Sequence, residues 1–525
     1  MLFLSKSKHL RLLSGLLLFS TFFFCRADFV QTVAAQDKND KSVKSEKPDK
    51  SENTGKPDKA SKSEKAAEAA TLAAVPQLPK GKLPVIIIPG LIGSELVNKD
   101  TNDVVWFGLR RAKTDDLRLP ISTNIAENRD SLIPRDILRS VKLFSFLPET
   151  EIYERLANTL ETTGGYAEGK WDAPTETGYE DTYYVFPYDW RRDNVENARL
   201  LIRRIDELKI KLKKPNLKFN IIAHSMGGII ARYAARYGDA DLPVSGQKPQ
   251  LNWAGAKDIN KIFLIGTPNE GSVSALNSLV NGLGLLSASR LNLPFIQDLS
   301  KYDVFTIPAA YQLLPHAGTI RAFDENLKPL KIDLYNPLTW EKYGWTAYSD
   351  PNFAKEFSEA EQKDAKQYFR LVLNRAKRLE EALDSNISAK SPVSLYFLGS
   401  DCKPTLDAVV IYRDEKKNRW ETIFRPESIK RSNGTKISAK ELEKLFYSPG
   451  DSVVTQRSFL GENFVKTKRG RATPPTAFSA KDISFVCEVH NKLTGNAKIQ
   501  TDMLNILSEK QPAKSTQSAA KILSK

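Results

Sequence analysis

The sequence predicts an α/β fold, a mostly parallel sheet flanked by helices, and three observations carry that expectation. Apolar runs of strand length recur at 85–88, 219–223 and 261–265, and they read as strands buried on both faces by their length, not by alternation. Stretches of helical period stand between them, giving a β-α-β-α order that right-handed crossovers turn into a parallel sheet. The second run also ends abruptly at a serine, Ser225, after which apolar residues recur at helical spacing (Met226, Ile229, Ile230, Tyr233, Tyr237).

That junction organises the rest of the chain. Ala223-His224-Ser225-Met226-Gly227 fits G-x-S-x-G with Ala in the first small position, the nucleophile elbow of an α/β-hydrolase. An elbow strains the serine backbone, so the residues two before and two after it must be small. It aims the Ser225 hydroxyl out of the sheet and sets the Met226 N–H, at a helix N-terminus, beside it as an oxyanion donor. A serine capping an ordinary helix is the plainer alternative.

Composition narrows the class. A net charge of +15 over 525 residues comes from Lys and Arg spread along the chain, with no dense basic block of the kind that binds nucleic acid. A generally solvated basic surface is the default, with a face toward anionic lipid as the alternative. Three cysteines without a C-x-x-C pair, and four histidines in all, give no metal cluster, and no cofactor is expected.

Taken in order, residues 1–35 carry Lys6, Lys8 and Arg11, an apolar run from Leu12 to Phe24, and Val33-Ala34-Ala35. This is the order of a secretory signal peptide cleaved after Ala35, so export is expected, an uncleaved anchor being the alternative. Residues 36–82 are a charged, Pro-containing linker that buries nothing, and 509–525 are a similar tail. The catalytic domain should span 83–508. It opens with the strand before Pro89-Gly90, a sharp turn that could present the Leu91 N–H as the second oxyanion donor. A helix is expected over 151–163, a strand over 182–186, and an amphipathic helix over 194–213. After the strand at 261–266, residues 272–390 read as a helical cap over the site. An apolar helix at 273–286 and charged helices over 353–383 suit a lid that takes an acyl chain out of water. Ordinary packing on the core is the alternative. Strands at 393–398 and 483–490 and a closing helix at 496–507 complete the domain.

Serine chemistry needs a base and an acid that orients it. His9 falls in the signal peptide, and strand alternation turns His224 away from the site. His316 precedes every good acid, whereas His490 follows the last strand, matching the order Ser, acid, His of this fold. Asp451, in a loop after Pro449-Gly450, and Asp401, directly after a strand, both qualify as the acid.

Together, PVIIIPGLIGSEL (84–96), PYDWR (187–191), AHSMGG (223–228), GTPNEGS (266–272), LLP (313–315), GDSVVTQRS (450–458) and His490 resemble the lecithin:cholesterol acyltransferase family, in the same order. That family is similar to phospholipid:diacylglycerol acyltransferases and lysosomal phospholipase A2. The resemblance implies Ser225 as nucleophile, Asp451 as acid and His490 as base, with Leu91 and Met226 as oxyanion donors and the cap as a lipid-facing lid. The chain departs from the family in Ser452, where Gly is common, and in lacking the cysteines that close a membrane-binding loop. Trp106, in the neighbourhood of that loop, reads as a packed side chain. Cys402 and Cys487 end strands that flank the triad and could pair as a disulfide in an exported protein, or remain two buried thiols.

The expected activity is serine-dependent hydrolysis or acyl transfer on lipid esters. Its partners would be a lipid ester, a lipid alcohol acceptor in the transferase case, and a lipid surface touched transiently. A broad carboxylesterase for soluble esters and a catalytically silent envelope protein of hydrolase fold are the rival readings.

Overall fold

Val85–Ile88 (β1), Ala167–Glu168 (β2), Thr182–Val185 (β3), Phe219–His224 (β4), Ile259–Ile265 (β5), Ser394–Ser400 (β6) and Ala480–Val486 (β7) form one sheet of seven strands in the order β2-β3-β1-β4-β5-β6-β7. Every neighbouring pair is parallel. The computed structural model describes residues 79–107, 116–141, 150–244, 246–284, 298–386, 389–461 and 478–509, all within the unit Ala60–Lys525. The expected signal peptide, including Cys25 and the cleavage site, lies outside the described residues, as do nearly all of the linker and tail.

The fold is an α/β-hydrolase, and strand alternation shows how its core divides. Ile86, Ile88, Ile221, Ala223, Ile262 and Leu264 face one way, against Asn194–Lys211 (α2) and Met226–Tyr237 (α3). Val85, Ile87, Ile222, Phe263 and Ile265 face the other, against Glu154–Thr162 (α1) and Ala497–Ser508 (α6). The central strands are therefore apolar on both faces through their middles, 85–88, 221–223 and 262–265, which is why they show no alternation. The α2 helix starts where the Asp193 carboxylate accepts from the Glu196 N–H, and it ends at Lys211, two residues before the expected stop, with Lys209 and Lys211 in its last turn. Every residue of α3 is buried.

β1 lies between β3 and β4, so the chain runs to one side of it and then returns to the other. Ligands in open parallel sheets bind at such a switch point, outside the carboxyl ends of the strands. Ser225 and the Pro89-Gly90 turn both leave the sheet there. Ala223 is paired with Ile88 on one side and Leu264 on the other, so the first turn of α3 runs beside the end of β1. A Cβ on Gly227 would stand 2.6 Å from the carbonyl oxygens of both Ile88 and Pro89.

The insertion differs from the expectation in two respects. Val273–Asn281 (α4) stops five residues early, at Gly282 with φ 91°, and residues 285–297 lie outside the described residues. The insertion is also not wholly helical. Beside short helices and the long Glu359–Asp384 (α5) it contributes Arg321–Phe323 and Pro329–Leu330 to a second, four-stranded sheet with Ala408–Asp414 and Arg419–Ile423. Strands this short draw their stability from partners far along the chain, and nothing local marks them. The last strand ends at Val486, and His490 instead opens a 3₁₀ helix, His490–Gly495.

Gly227→Ala should destabilise the protein by about 1–3 kcal/mol, because both atoms the new methyl meets are backbone. Equilibrium denaturation measures this, and wild-type stability would mean that α3 slides freely from β1.

Candidate active site

Ser225 sits at φ 54° and ψ −124°, a conformation an L-residue holds only when its surroundings dictate it. Its N–H donates to the Ile265 carbonyl at 2.8 Å, and its own carbonyl accepts from the Gly228 N–H at 3.0 Å. Gly90 approaches from β1: a Cβ there would lie 2.9 Å from the Ser225 Cβ. The hydroxyl stands 2.9 Å from His490 Nε2, and His490 Nδ1 stands 2.7 Å from Asp451 Oδ2. Asp451 is 2% exposed, and its other carboxylate oxygen accepts from the Val453 and Val454 N–H groups at 2.9 and 2.7 Å. The carboxylate is thus fixed before it meets the ring. A buried acid on Nδ1 and a hydroxyl on Nε2 is the arrangement in which imidazole can take a serine proton and be stabilised while it holds it. Asp401, the other candidate acid, is exposed on the bend after β6.

A cavity of about 200 Å³ opens onto Ser225 and His490. Its walls are Leu91 and Ile92 from the β1 turn, Ala275 from α4, Val304, Ile307 and Leu313 from the insertion, and Val453. Larger clefts of about 580 and 980 Å³ lie elsewhere, and neither is lined by Ser225, Asp451 or His490. The amides of Leu91 and Met226 make no hydrogen bond to protein among the described residues.

The lecithin:cholesterol acyltransferase family model matches residues 170–460, more than half of the chain. The chain belongs to that family. The matched stretch holds Ser225 and Asp451 and ends before His490, whose place beside Ser225 is seen in the geometry alone. No curated protein matches. Among solved structures, the Tle4–Tli4 complex is 14% identical, covering 81% of this chain and 98% of that one at a TM-score of 0.49. Mature lipase BlEst2 of Bacillus licheniformis is 12% identical, covering 83% and 95% at 0.31, and EstA of Clostridium botulinum 14%, covering 83% and 90% at 0.30. The assignment of fold therefore rests on the sheet itself.

In this member of the family, the shared motifs act as braces. From PYDWR, Tyr188 Oη donates to the Pro89 carbonyl at 2.8 Å and Trp190 Nε1 to the Ser94 carbonyl at 3.1 Å. Arg191, fully buried, is held by Asp189 and Asp130. From GTPNEGS, Asn269 donates to the Phe459 carbonyl at 2.6 Å, and Ser458 Oγ donates to the Gly271 carbonyl at 2.6 Å, fastening the segment that follows Asp451. Trp106 is buried against Trp190 with its Nε1 on the Ile92 carbonyl at 2.9 Å. It is a packed side chain behind the β1 turn.

A disulfide joins Cys402 to Cys487, with Cα atoms 5.3 Å apart. It clasps the ends of β6 and β7. Ser400 adds a polar bridge, donating to the Gly450 carbonyl at 3.1 Å and accepting from the Glu488 N–H at 3.2 Å, so the loops of acid and base hang from one strand end. Removing the pair with Cys402→Ser and Cys487→Ser should lower stability by about 2–4 kcal/mol, read by denaturation of oxidised protein. A change below about 0.5 kcal/mol would deny the clasp this role.

His316 is far from the serine in role as well as in sequence. Its buried ring bonds Asp384 at 2.8 Å. Among the described residues, His316, Glu380 and Asp384 could gather round a metal ion, their ligating atoms lying within 4.8 Å of one another. Burial would lower the His316 pKa, but the adjacent Asp384 carboxylate prevails and raises it. No spacing in the sequence marks this cluster, because its three members come from two separate segments.

His224 lies closer to the chemistry than alternation suggested. It points to the opposite face from its neighbours in β4, as expected, yet its ring centre is 4.9 Å from that of His490. Burial, and then the charge of His490, push its pKa down to about 3 from 6.5. The unfolded chain takes up a proton on His224 below about 6.5 that the folded chain refuses until about 3. This contribution to stability is whole above about 6.5 and declines as pH falls through that window, by up to about 1.4 kcal/mol per pH unit. His224→Asn should therefore lose less stability than wild type between about pH 6.5 and pH 4, measured by urea denaturation. Equal slopes would contradict a neutral, buried His224.

Proposed function

We propose that this chain is a serine acyl hydrolase or O-acyltransferase acting on lipid esters through Ser225, His490 and Asp451. The observation that supports it most is the unbroken line of hydrogen bonds from the Asp451 carboxylate through His490 to the Ser225 hydroxyl, at the mouth of an apolar cavity. His490 Nε2 takes the Oγ proton as Oγ attacks the ester carbonyl, and the oxygen that becomes negative meets the Leu91 and Met226 N–H groups. Collapse of the tetrahedral species breaks the ester C–O bond, His490 returns the proton to the leaving alcohol, and an acyl-enzyme remains. Water or a lipid alcohol, deprotonated by His490, then takes the acyl group from Ser225. No cofactor enters any step.

Apolar walls favour an acyl chain over a polar substrate. No helix among the described residues is long and apolar enough to cross a membrane, and transient contact with a lipid surface is part of this proposal. The disulfide and the expected signal peptide support an exported enzyme. One observation favours the rival carboxylesterase: about 200 Å³ is below the usual range of about 300–1,000 Å³ for ligand pockets, so a short acyl chain fits without any movement of α4.

Ser225→Ala should lower turnover by roughly four to six orders of magnitude at unchanged stability. A fluorophosphonate should label Ser225 in the wild type and nothing in the variant, and an unlabelled wild type would end the proposal. Mass spectrometry of products with and without a lipid alcohol separates transferase from hydrolase. Faster cleavage of short soluble esters than of micellar phospholipid would favour the carboxylesterase.

A further inference from the structure

Three polar contacts, two buried and one partly buried, cross the floor of the site without touching the triad side chains. The Gly90 N–H donates to Tyr153 Oη at 2.8 Å. Tyr153 Oη lies 2.8 Å from His224 Nδ1, and His224 Nε2 lies 3.1 Å from the His490 carbonyl oxygen. Tyr153 is 1% exposed and His224 7%.

One set of protons satisfies all three. The His490 carbonyl can only accept, so His224 Nε2 carries the proton. Nδ1 is then bare and accepts from the Tyr153 hydroxyl, whose oxygen accepts in turn from Gly90. A neutral imidazole is required, since a ring with protons on both nitrogens could not accept from Tyr153. The two ends of this line are the residue before one oxyanion amide and the backbone of the base.

We propose that Tyr153 and His224 are positioning residues that hold the oxyanion turn at Gly90-Leu91 and the backbone of His490 in register. The inference rests on the reading of Ser225, His490 and Leu91 given under the proposed function. Neither residue touches substrate. Tyr188 clamps the carbonyl side of the same turn through Pro89, so Tyr153 governs its amide side. A displacement on the order of 1 Å near the reacting atoms lowers rates by up to about 100-fold, and loss of one oxyanion donor by about 100- to 1,000-fold. A set of polar groups that merely satisfied one another would affect stability and leave transition-state binding alone.

Tyr153→Phe keeps the ring in its apolar seat and removes the hydroxyl. The expected result with a chromogenic ester is a kcat lower by about 10- to 100-fold with KM within about twofold. Affinity for an alkyl boronate, whose tetrahedral adduct needs the oxyanion amides, should fall by a similar factor. His224→Asn keeps a polar atom near the place of Nδ1 and should retain more boronate affinity than His224→Gln, which keeps one near Nε2. Unchanged kcat and boronate affinity in Tyr153→Phe, or losses that track only a lower folded fraction in thermal melts, would overturn the proposal. Imidazole ¹⁵N chemical shifts of the wild type give a readout independent of activity. They should show His224 neutral with its proton on Nε2, and a proton on Nδ1 would overturn the relay even if fluorophosphonate labelling and the esterase reading stand. If labelling fails, the esterase reading falls and the same shifts still decide the relay's geometry.

Discussion

The 2.9 Å contact between Ser225 and His490 joins residues 265 positions apart, and most of the surrounding structure can be understood as holding that contact in place. A side-chain bond of this kind contributes only about 1 kcal/mol by itself, so its geometry must be imposed from outside. Ser225 follows β4, Asp451 follows the short strand Tyr447–Gly450, and His490 follows β7, and backbone groups hold each of the three. The strained serine is pinned by Ile265 and Gly228, the acid by two backbone amides, and the base by Asp451 at both its ring and its backbone N–H. Rigidity at a reacting centre is built by over-determination, and here the sheet edge supplies it.

Charge is handled in the same spirit. Arg191 is completely buried yet meets two carboxylates with its planar fork, a geometry lysine could not reproduce. Arg232, on α3, is buried as well, with Asn269 and the Leu383 carbonyl as partners, and its pKa is pushed down to about 9 by burial and by the nearby Arg236. Arg191 ties the segment after β3 back to Asp130, earlier in the chain, whereas Arg232 links α3 to segments that arrive later. Arg232 resembles a bolt placed where the insertion rejoins the domain.

How much of this was legible beforehand follows from the range over which each signal acts. β1, β4, α2 and the serine turn were readable because an apolar run, a 3.6-residue period and a small-x-Ser-x-small turn are all local. Asp451 was readable from chain order, but preferring it to Asp401 took the family resemblance, since both follow strands and only burial tells them apart. His490 was placed at the end of a strand that in fact stops at Val486, because Cys487 and Glu488 are drawn away by Cys402 and Ser400. Tyr153 carried no mark at all: a tyrosine at the start of an amphipathic helix looks like core until His224 and Gly90 arrive beside it. The strand at Arg321–Phe323 was missed for a related reason, as its partner Ala408–Val410 lies in another segment.

The covalent clasp between Cys402 and Cys487 makes the completeness of the base's scaffold a matter of chemical surroundings. Where thiols stay reduced, the same polypeptide holds the approach to His490 by Ser400 and a few backbone bonds, so that loop has its full stiffness only in oxidising surroundings. Under the export proposed above, the loop would stay at its loosest until the chain had left the reducing interior of the cell.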